Sequence, residues 1–384
     1  MNQLKRTDRS IKKLPNGDSL HIQTFTVEGT RPGPEVYIQA NVHGAEIQGN
    51  AVIYELLDFF LNHDFKGKIT FVPCANPMAI NSKSGTFTQG RFNPVTGDNW
   101  NRNYVDLLSL PQEETGLDLE SFVNKRLSAS EDTIKTEFKR ELKKSYETCW
   151  TNFCTKKGPS ENRALNMTLQ TLASHSDIVL DLHTGPKATR YLYAAEFEAE
   201  SAKNFLTPFF LIIPNKFAGA MDEGCFMPWI HLKMAFQKQG RETTFDFESY
   251  TLELGSEECL SSSDAKEDAA RIIHYLHSKG LDIENPPFIR RPEQKYCLLK
   301  NYKTYYSPFA GFVEYLKSPG DSFEKGDILA RVLNFGSVQE SKDLKTAWSD
   351  IPALDTGIVI THAPTGVIHE GNEIFQIMTH FKIC

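Results

Sequence analysis

Residues 35–63 read EVYIQA, NVHGAEIQG and NAVIYELLDFFLNH in succession. The first segment is a continuous apolar run of strand length, and the third repeats apolar residues at helical spacing. The polar segment between them has the makeup of a turn. A buried strand that runs straight into an amphipathic helix demands a neighbouring parallel strand and a covering helix layer. The texture recurs in KITFVPCANP (68–77) and SDIVLDLHTG (176–185), which read as two further buried strands. The expected fold class is therefore α/β, with a largely parallel sheet flanked by helices. Ligands of such sheets collect beyond the carboxyl ends of the strands, where the polar residues of these segments fall.

The turn after the first strand holds His43 and Glu46, three residues apart, with Gly44 between them. Imidazole nitrogen and carboxylate oxygen suit a zinc ion, but the pair alone equally describes a hydrogen-bonded turn. His183 ends the 176–185 strand and would point into the same crevice, either as a third ligand or as a satisfied core histidine. Asp181, two residues earlier, faces the same side; it either orients His183 or caps buried polar groups. The loop RFNPVTGDNWNRNY (91–104) carries Arg91 and Arg102, the latter between Asn101 and Asn103. A guanidinium there would bind a carboxylate in bidentate fashion or stabilise an oxyanion, unless it is simply solvated. Glu253 sits inside the apolar run SYTLELG (249–255) and either faces solvent from an edge strand or is aimed into a site. A general base needs such a partly desolvated carboxylate.

At 384 residues, the chain is long enough for two domains. Charged, helix-favouring sequence over about 107–175 interrupts the strand pattern and reads as a helical insertion beside the site or over one face. A helix over 264–280 is followed by the Pro-rich, charged stretch LDIENPPFIRRPEQ, and then by short strands and tight turns. The division expected is 1–285 for the α/β part and 286–384 for a small all-β module. The net charge of −7 argues against a nucleic-acid partner, and FKRELKK (138–144) reads as a solvated helix face. No apolar run is long enough to span a bilayer, so no membrane role is expected. The first residues lack the apolar core of a secretory signal. Seven cysteines, an odd number without a CxxC pair, fit thiols in a reducing compartment and point to the cytoplasm.

Taken in order, HGAE (43–46), NRN (101–103), DLH (181–183) and LELG (252–255) resemble the zinc carboxypeptidase superfamily. Within it, the chain is most similar to the succinylglutamate desuccinylase/aspartoacylase family, over roughly residues 35–280. The resemblance implies a zinc-carboxypeptidase-like mixed sheet and one zinc per chain, bound by His43, Glu46 and His183. It implies Glu253 as general base and proton shuttle, Arg91 on the scissile carbonyl, and Asn101 and Arg102 on a substrate carboxylate. Relatives often carry Asp two residues before the Asn-Arg pair; this chain has Asn99, with Asp98 one place earlier, and either could orient His43. PFAGFVEYLKSPGDSFEKGDILARV (308–332) is similar to the biotinyl/lipoyl-like barrel appended to many members. Lys342 and Lys345 lack the familiar setting of a carrier lysine, so a structural or site-shaping role is expected there.

The function implied is zinc-dependent hydrolysis of the amide bond of a small N-acyl amino acid, with a carboxylate-bearing small molecule as partner. The alternatives are a metallocarboxypeptidase acting on peptides or cell-wall fragments, and a zinc-binding module without catalysis. Homo-oligomerisation is left open.

Overall fold

The computed structural model describes residues 2–88, 90–156, 158–338 and 344–384. Its centre is a ten-stranded mixed sheet. In chain order the strands are β1 (Leu4–Lys13), β2 (Ser19–Glu28), β3 (Arg31–Ala40), β4 (Lys66–Val72), β5 (Ile178–Gly185), β6 (Arg190–Ala195), β7 (Phe209–Ile213), β8 (Glu248–Ser256), β9 (Lys295–Leu298) and β10 (Lys382–Ile383). Across the sheet they run β1-β2-β4-β3-β5-β8-β6-β7-β9-β10. The middle, β4-β3-β5-β8, is parallel throughout, whereas β1, β2 and β6 pair antiparallel to their inner neighbours. The sheet is thus mixed at its flanks and parallel where the candidate residues lie.

Helices α1 (Gln48–Asn62), α2 (Glu131–Lys156), α3 (Glu161–Ala173), α4 (Met221–Lys238) and α5 (Ser262–Leu276) form the covering layers. Helix α1 buries Val52, Ile53, Leu56 and Phe60, a stripe at helical spacing. Helix α5 buries Ala265, Ala269, Ile272 and Ile273 and is capped by Ser261, whose hydroxyl accepts the Asp264 N–H. Both stripes pack with Val36, Ile38, Leu180 and Leu182 on one face of the sheet. On the other face Tyr37 and Val179 meet α2, α3 and α4. Because strand side chains alternate, Asp181 and His183 take the Val179 side, opposite α1 and α5.

The region expected to be helical over 107–175 forms the helices Gln112–Thr115 and Leu119–Asn124 followed by α2 and α3, and it covers a face of the sheet. Phe138 of α2 is fully buried, edge-on to Trp229 of α4 with ring centroids 5.0 Å apart. The basic stretch beginning at Phe138 is not wholly solvated. Lys139, with Lys135, pairs with Asp177 at the start of β5, which ties α2 to the sheet.

From Tyr302 the chain builds two small antiparallel sheets. One contains Tyr302–Tyr306, Glu373–Thr379, Gly357–His362 and Ser322–Phe323, and is joined by the two-residue strand Lys187–Ala188. The other contains Trp348–Pro352, Ile328–Leu333, Gly311–Tyr315 and Val367–Ile368. They enclose their own core, with Phe323, Leu329, Val332, Ile374 and Phe375 at its centre. A second apolar cluster, with Tyr191, Leu211, Ile358, Ile360 and Met378, joins one small sheet to the large one. Lys345 lies in the 3-10 turn Leu344–Ala347, and Lys342 lies outside the described residues. Among the described residues no helix is long and apolar enough to cross a membrane.

Glu198 is fully buried beneath the amino end of β8. Its Oε2 accepts the Ser249 N–H at 3.0 Å, and its Oε1 has no partner among the described residues. Burial first, then the nearby Glu248, pushes the Glu198 carboxyl well above its ordinary value. Above the ordinary glutamate pKa the unfolded chain loses this proton while the folded chain keeps it, so stability falls as pH rises through that window. Glu198→Gln is expected to gain on the order of 1 kcal/mol at pH 8 and little at pH 4. Urea denaturation at the two pH values checks this; an equal shift at both would show that the charge is not the cause.

Candidate metal centre and active site

The carboxyl ends of β3, β5 and β8 meet at one level of the sheet. In register, Gln39 lies opposite Asp181, and His183 opposite Glu253. His43 and Glu46 follow β3 in a turn that the fold holds closely. Asn41, with a φ of 69°, turns the chain, and its Nδ2 donates to the carbonyls of His43 and Gly44 at 3.0 and 3.1 Å. Asn76 donates to the Val42 carbonyl, and the Glu258 N–H to that of Ala45. A Cβ on Gly44 would stand 2.5 Å from the carbonyl carbon and oxygen of Ala79, so the short helix Pro77–Ile80 leaves room for glycine alone.

His43, Glu46 and His183 are all buried, and one potential ligand atom from each lies within 4.8 Å of the others. The His43 Nδ1 is 2.8 Å from Glu46 Oε1, and the His183 Nδ1 is 2.8 Å from Glu46 Oε2. The outer nitrogens are held from behind. His43 Nε2 meets Asn99 Oδ1 at 2.8 Å, and His183 Nε2 meets Asp181 Oδ2 at 2.8 Å. With a divalent cation among the three side chains, the oxygen acceptor behind each ring would keep the proton on Nε2 and leave the Nδ1 lone pair free to face it. The donor set thus fits a divalent metal with nitrogen and oxygen ligands. Of the two candidates for orienting His43, Asn99 makes the contact. Asp181 is held in turn, its Oδ1 accepting from Gln39 Nε2 at 2.9 Å, and Gln39 Oε1 accepts the Tyr37 hydroxyl at 2.8 Å.

Charge is concentrated here. Burial opposes ionisation of Glu46, but His43 and His183 outweigh it and hold the carboxyl well below its ordinary range. Burial likewise opposes a charged His183, and Asp181 and Glu46 overcome it. The Arg91 Nη2 donates to Glu46 Oε1 at 2.8 Å and lies 3.8 Å from Glu257. Glu253 is on an interior strand between β5 and β6, not at an edge, and its Oε2 is shielded without a hydrogen-bond partner among the described residues. Burial first, and then the charge of Glu46, pushes its carboxyl up to about 7.

Asn101 and Arg102 adjoin this cluster in different ways. The Asn101 amide is turned inward, with Nδ2 3.3 Å from His183 Nε2 and Oδ1 accepting the Met221 N–H at 3.3 Å. Arg102 is exposed, its carbonyl held by Asn166 and its Nη1 donating to the Asn101 carbonyl. It makes no ion pair with the described residues, so its guanidinium is available to an anion. A cleft of about 550 Å³ contains His43, Glu46, Arg91, Arg102, His183 and Glu253. Its walls also include Tyr191, Tyr193 and Asp222, and Tyr302, Glu373 and Gln376 from the carboxyl-terminal sheets. None of these wall residues is singled out by the sequence reading. Tyr191 and Tyr193 share a face of β6 and are legible as a pair only once β6 is known to adjoin β8.

Residues 32–278 match the family model of the succinylglutamate desuccinylase/aspartoacylase catalytic domain. Two solved structures bearing that family name are similar over their whole lengths. The one from Shewanella frigidimarina is 36% identical, with a TM-score of 0.91, over 100% of this chain and 99% of its own. The one from Shewanella amazonensis is 37% identical, with a TM-score of 0.90, over 99% and 100%. The product-bound ectoine utilization protein EutE of Ruegeria pomeroyi shares the fold at 16% identity and a TM-score of 0.64, over 98% and 95%. No curated protein matches the chain.

The Gly44 contact generates a direct expectation. Gly44→Ala must push the helix Pro77–Ile80 away from the turn, at a cost of about 1–3 kcal/mol for such overpacking. Urea denaturation measures the loss, and metal titration of the same variant is expected to show weakened binding. An unchanged midpoint and affinity would mean that the turn is not held this tightly.

Proposed function

The chain belongs to the succinylglutamate desuccinylase/aspartoacylase family, and from that premise we propose that it is a zinc-dependent hydrolase of the amide bond in a small N-acyl amino acid. The observation that carries the reading is the convergence of two inward-facing Nδ1 atoms and one carboxylate, with a Glu253 oxygen that has no partner among the described residues on the strand beside His183. Zinc held by His43, Glu46 and His183 would supply Lewis acidity and make water acidic near neutral pH.

The remaining roles fall to the chain's own side chains. Glu253 removes the proton of the attacking water and returns it to the departing amine. Its carboxyl, raised chiefly by burial, takes up a proton more readily than an exposed glutamate would. Arg91, kept charged against burial by Glu46, Glu257 and Glu253, donates to the oxygen on which negative charge develops. Arg102, solvent-facing and without an ion pair among the described residues, takes the substrate carboxylate together with Asn101, whose carbonyl accepts from the Arg102 Nη1 and whose amide adjoins His183. We divide the chain at residues 285 and 286; the second part, a β-rich biotinyl/lipoyl-like module, shapes the cleft wall through Tyr302, Glu373 and Gln376. The seven free cysteines support a cytoplasmic setting.

With zinc loaded, Glu253→Gln is expected to lower hydrolysis of N-acetyl and N-succinyl amino acids by about 10²- to 10⁴-fold while one zinc per chain is retained. Metal analysis alongside kinetics tests this, and full activity in the variant would remove Glu253 from the reaction. Arg102→Ala is expected to raise KM for these substrates at least about 10-fold. It should have far less effect on the matching N-acyl amino acid amides, which lack the carboxylate. Cleavage of short peptides alone, by the unmodified enzyme, would favour a carboxypeptidase instead.

A further inference from the structure

We propose that a second cavity, opening from the metal centre on the Arg91 side, binds the acyl chain, and that the preferred substrates carry an uncharged acyl group longer than acetyl. The inference rests on the deacylase reading above, in which Arg102 holds the carboxylate of the amino acid. The cavity, about 790 Å³, shares His43 and Arg91 with the catalytic cleft and extends away from Arg102. Its wall is largely apolar, with Phe87, Phe92, Pro94, Pro186 and Pro364. Phe87 is 71% exposed and Phe92 53%, which leaves two aromatic rings facing water beside the reaction centre.

Charge on this side is balanced. Arg91 and Lys187 stand against Glu257 and Glu258, and Arg91 is already committed to Glu46 and Glu257. A second carboxylate, as in a succinyl group, meets Glu257 and Glu258 on this wall, where Arg91, paired with Glu46 and Glu257, and Lys187, whose charge acts on the Glu257 carboxyl, offset those two acids and are not in excess, whereas Arg102, absent from this wall, makes no ion pair among the described residues. The two sides of the metal centre therefore differ in chemistry, and an amide lying across it places its uncharged acyl end against the aromatic wall.

The wall is also built to keep its shape. The Gly44 N–H donates to the Gly90 carbonyl at 3.1 Å, and a Cβ on Gly90 would come within 2.8 Å of the Gly44 nitrogen. The Thr88 N–H donates to Glu258 Oε1, and the Glu258 N–H to the Ala45 carbonyl. Thr88 and Gly90, which lie between Phe87 and Phe92, are thereby fastened to the residues after β8 and to the turn that carries His43. A preformed apolar wall binds methylene groups with little ordering cost.

The test is a chain-length series, acetyl, butanoyl, hexanoyl and octanoyl, together with succinyl, on alanine, aspartate and glutamate, with the zinc-loaded full chain. We expect kcat/KM to rise about 2- to 4-fold per added methylene, as burial of each CH₂ implies, and octanoyl to exceed succinyl on every amine. The double variant Phe87→Ser/Phe92→Ser, at two exposed positions, should cut the octanoyl-to-acetyl ratio at least about 10-fold. A flat or falling series, or a preference for succinyl, overturns the inference and leaves the deacylase reading standing. Calorimetric binding of N-octanoyl alanine and N-acetyl alanine separates the two ideas if nothing is hydrolysed. Tighter octanoyl binding that the double variant abolishes would support the subsite while the deacylase reading fails; equal affinities would overturn the subsite as well.

Discussion

The parallel register of β3, β5 and β8 is the constraint on which the centre depends. It sets Gln39 beside Asp181 and, two residues further along, His183 beside Glu253, so polar side chains from three distant segments of the chain arrive at adjacent levels of the sheet. Alternation then decides their direction. Leu180 and Leu182 enter the core beneath α1 and α5, and the interleaved Asp181 and His183 must turn the other way. A shift of one residue in β5 would bury the two polar side chains under α1 and leave two leucines at the cleft. The apolar core and the site are therefore fixed by a single pairing.

Given that register, the electrostatics of Glu46 follow. A fully buried carboxylate is strongly disfavoured alone, and here it is met by two imidazoles, the Arg91 guanidinium and the Thr184 N–H at 3.1 Å. Such a cluster contributes little to stability relative to an apolar core of the same shape, because desolvation opposes the attraction. Asn99 and Asp181 hold the outer nitrogens of the two rings and so fix the direction in which each inner nitrogen faces.

Much of this is legible in the residues. The run 35–63 declares strand, turn and helix, and the DLH triplet places His183 at a strand end, because periodicity is a local property. The covering helices over 107–175 are equally plain from their charge and spacing, although the tie from Lys139 to Asp177 is a tertiary pairing that the basic run conceals. Glu253 is ambiguous in sequence since LEL reads the same on an edge as inside; the antiparallel return of β6 against β8 is what encloses it. Asn99 and Asp98 are indistinguishable by spacing, and the loop's path selects Asn99. Tyr302, Glu373 and Gln376 carry no signal at all, because their place depends on how one small sheet docks against β6 and β7.

That docking has a consequence for selectivity. The strand Lys187–Ala188 leaves the large sheet two residues after β5 and pairs with Gly357–His362, so the chain just beyond His183 is part of a carboxyl-terminal sheet. Pro186 borders both the metal cleft and the apolar cavity. The position of that short segment is therefore set jointly by β5, which carries His183, and by the small sheet that contains Gly357–His362. Sequence changes in the carboxyl-terminal residues can move this wall without touching His43, Glu46 or His183. A chain organised this way can keep the His43, Glu46 and His183 cluster constant while the walls of the cleft are altered from the other end of the sequence.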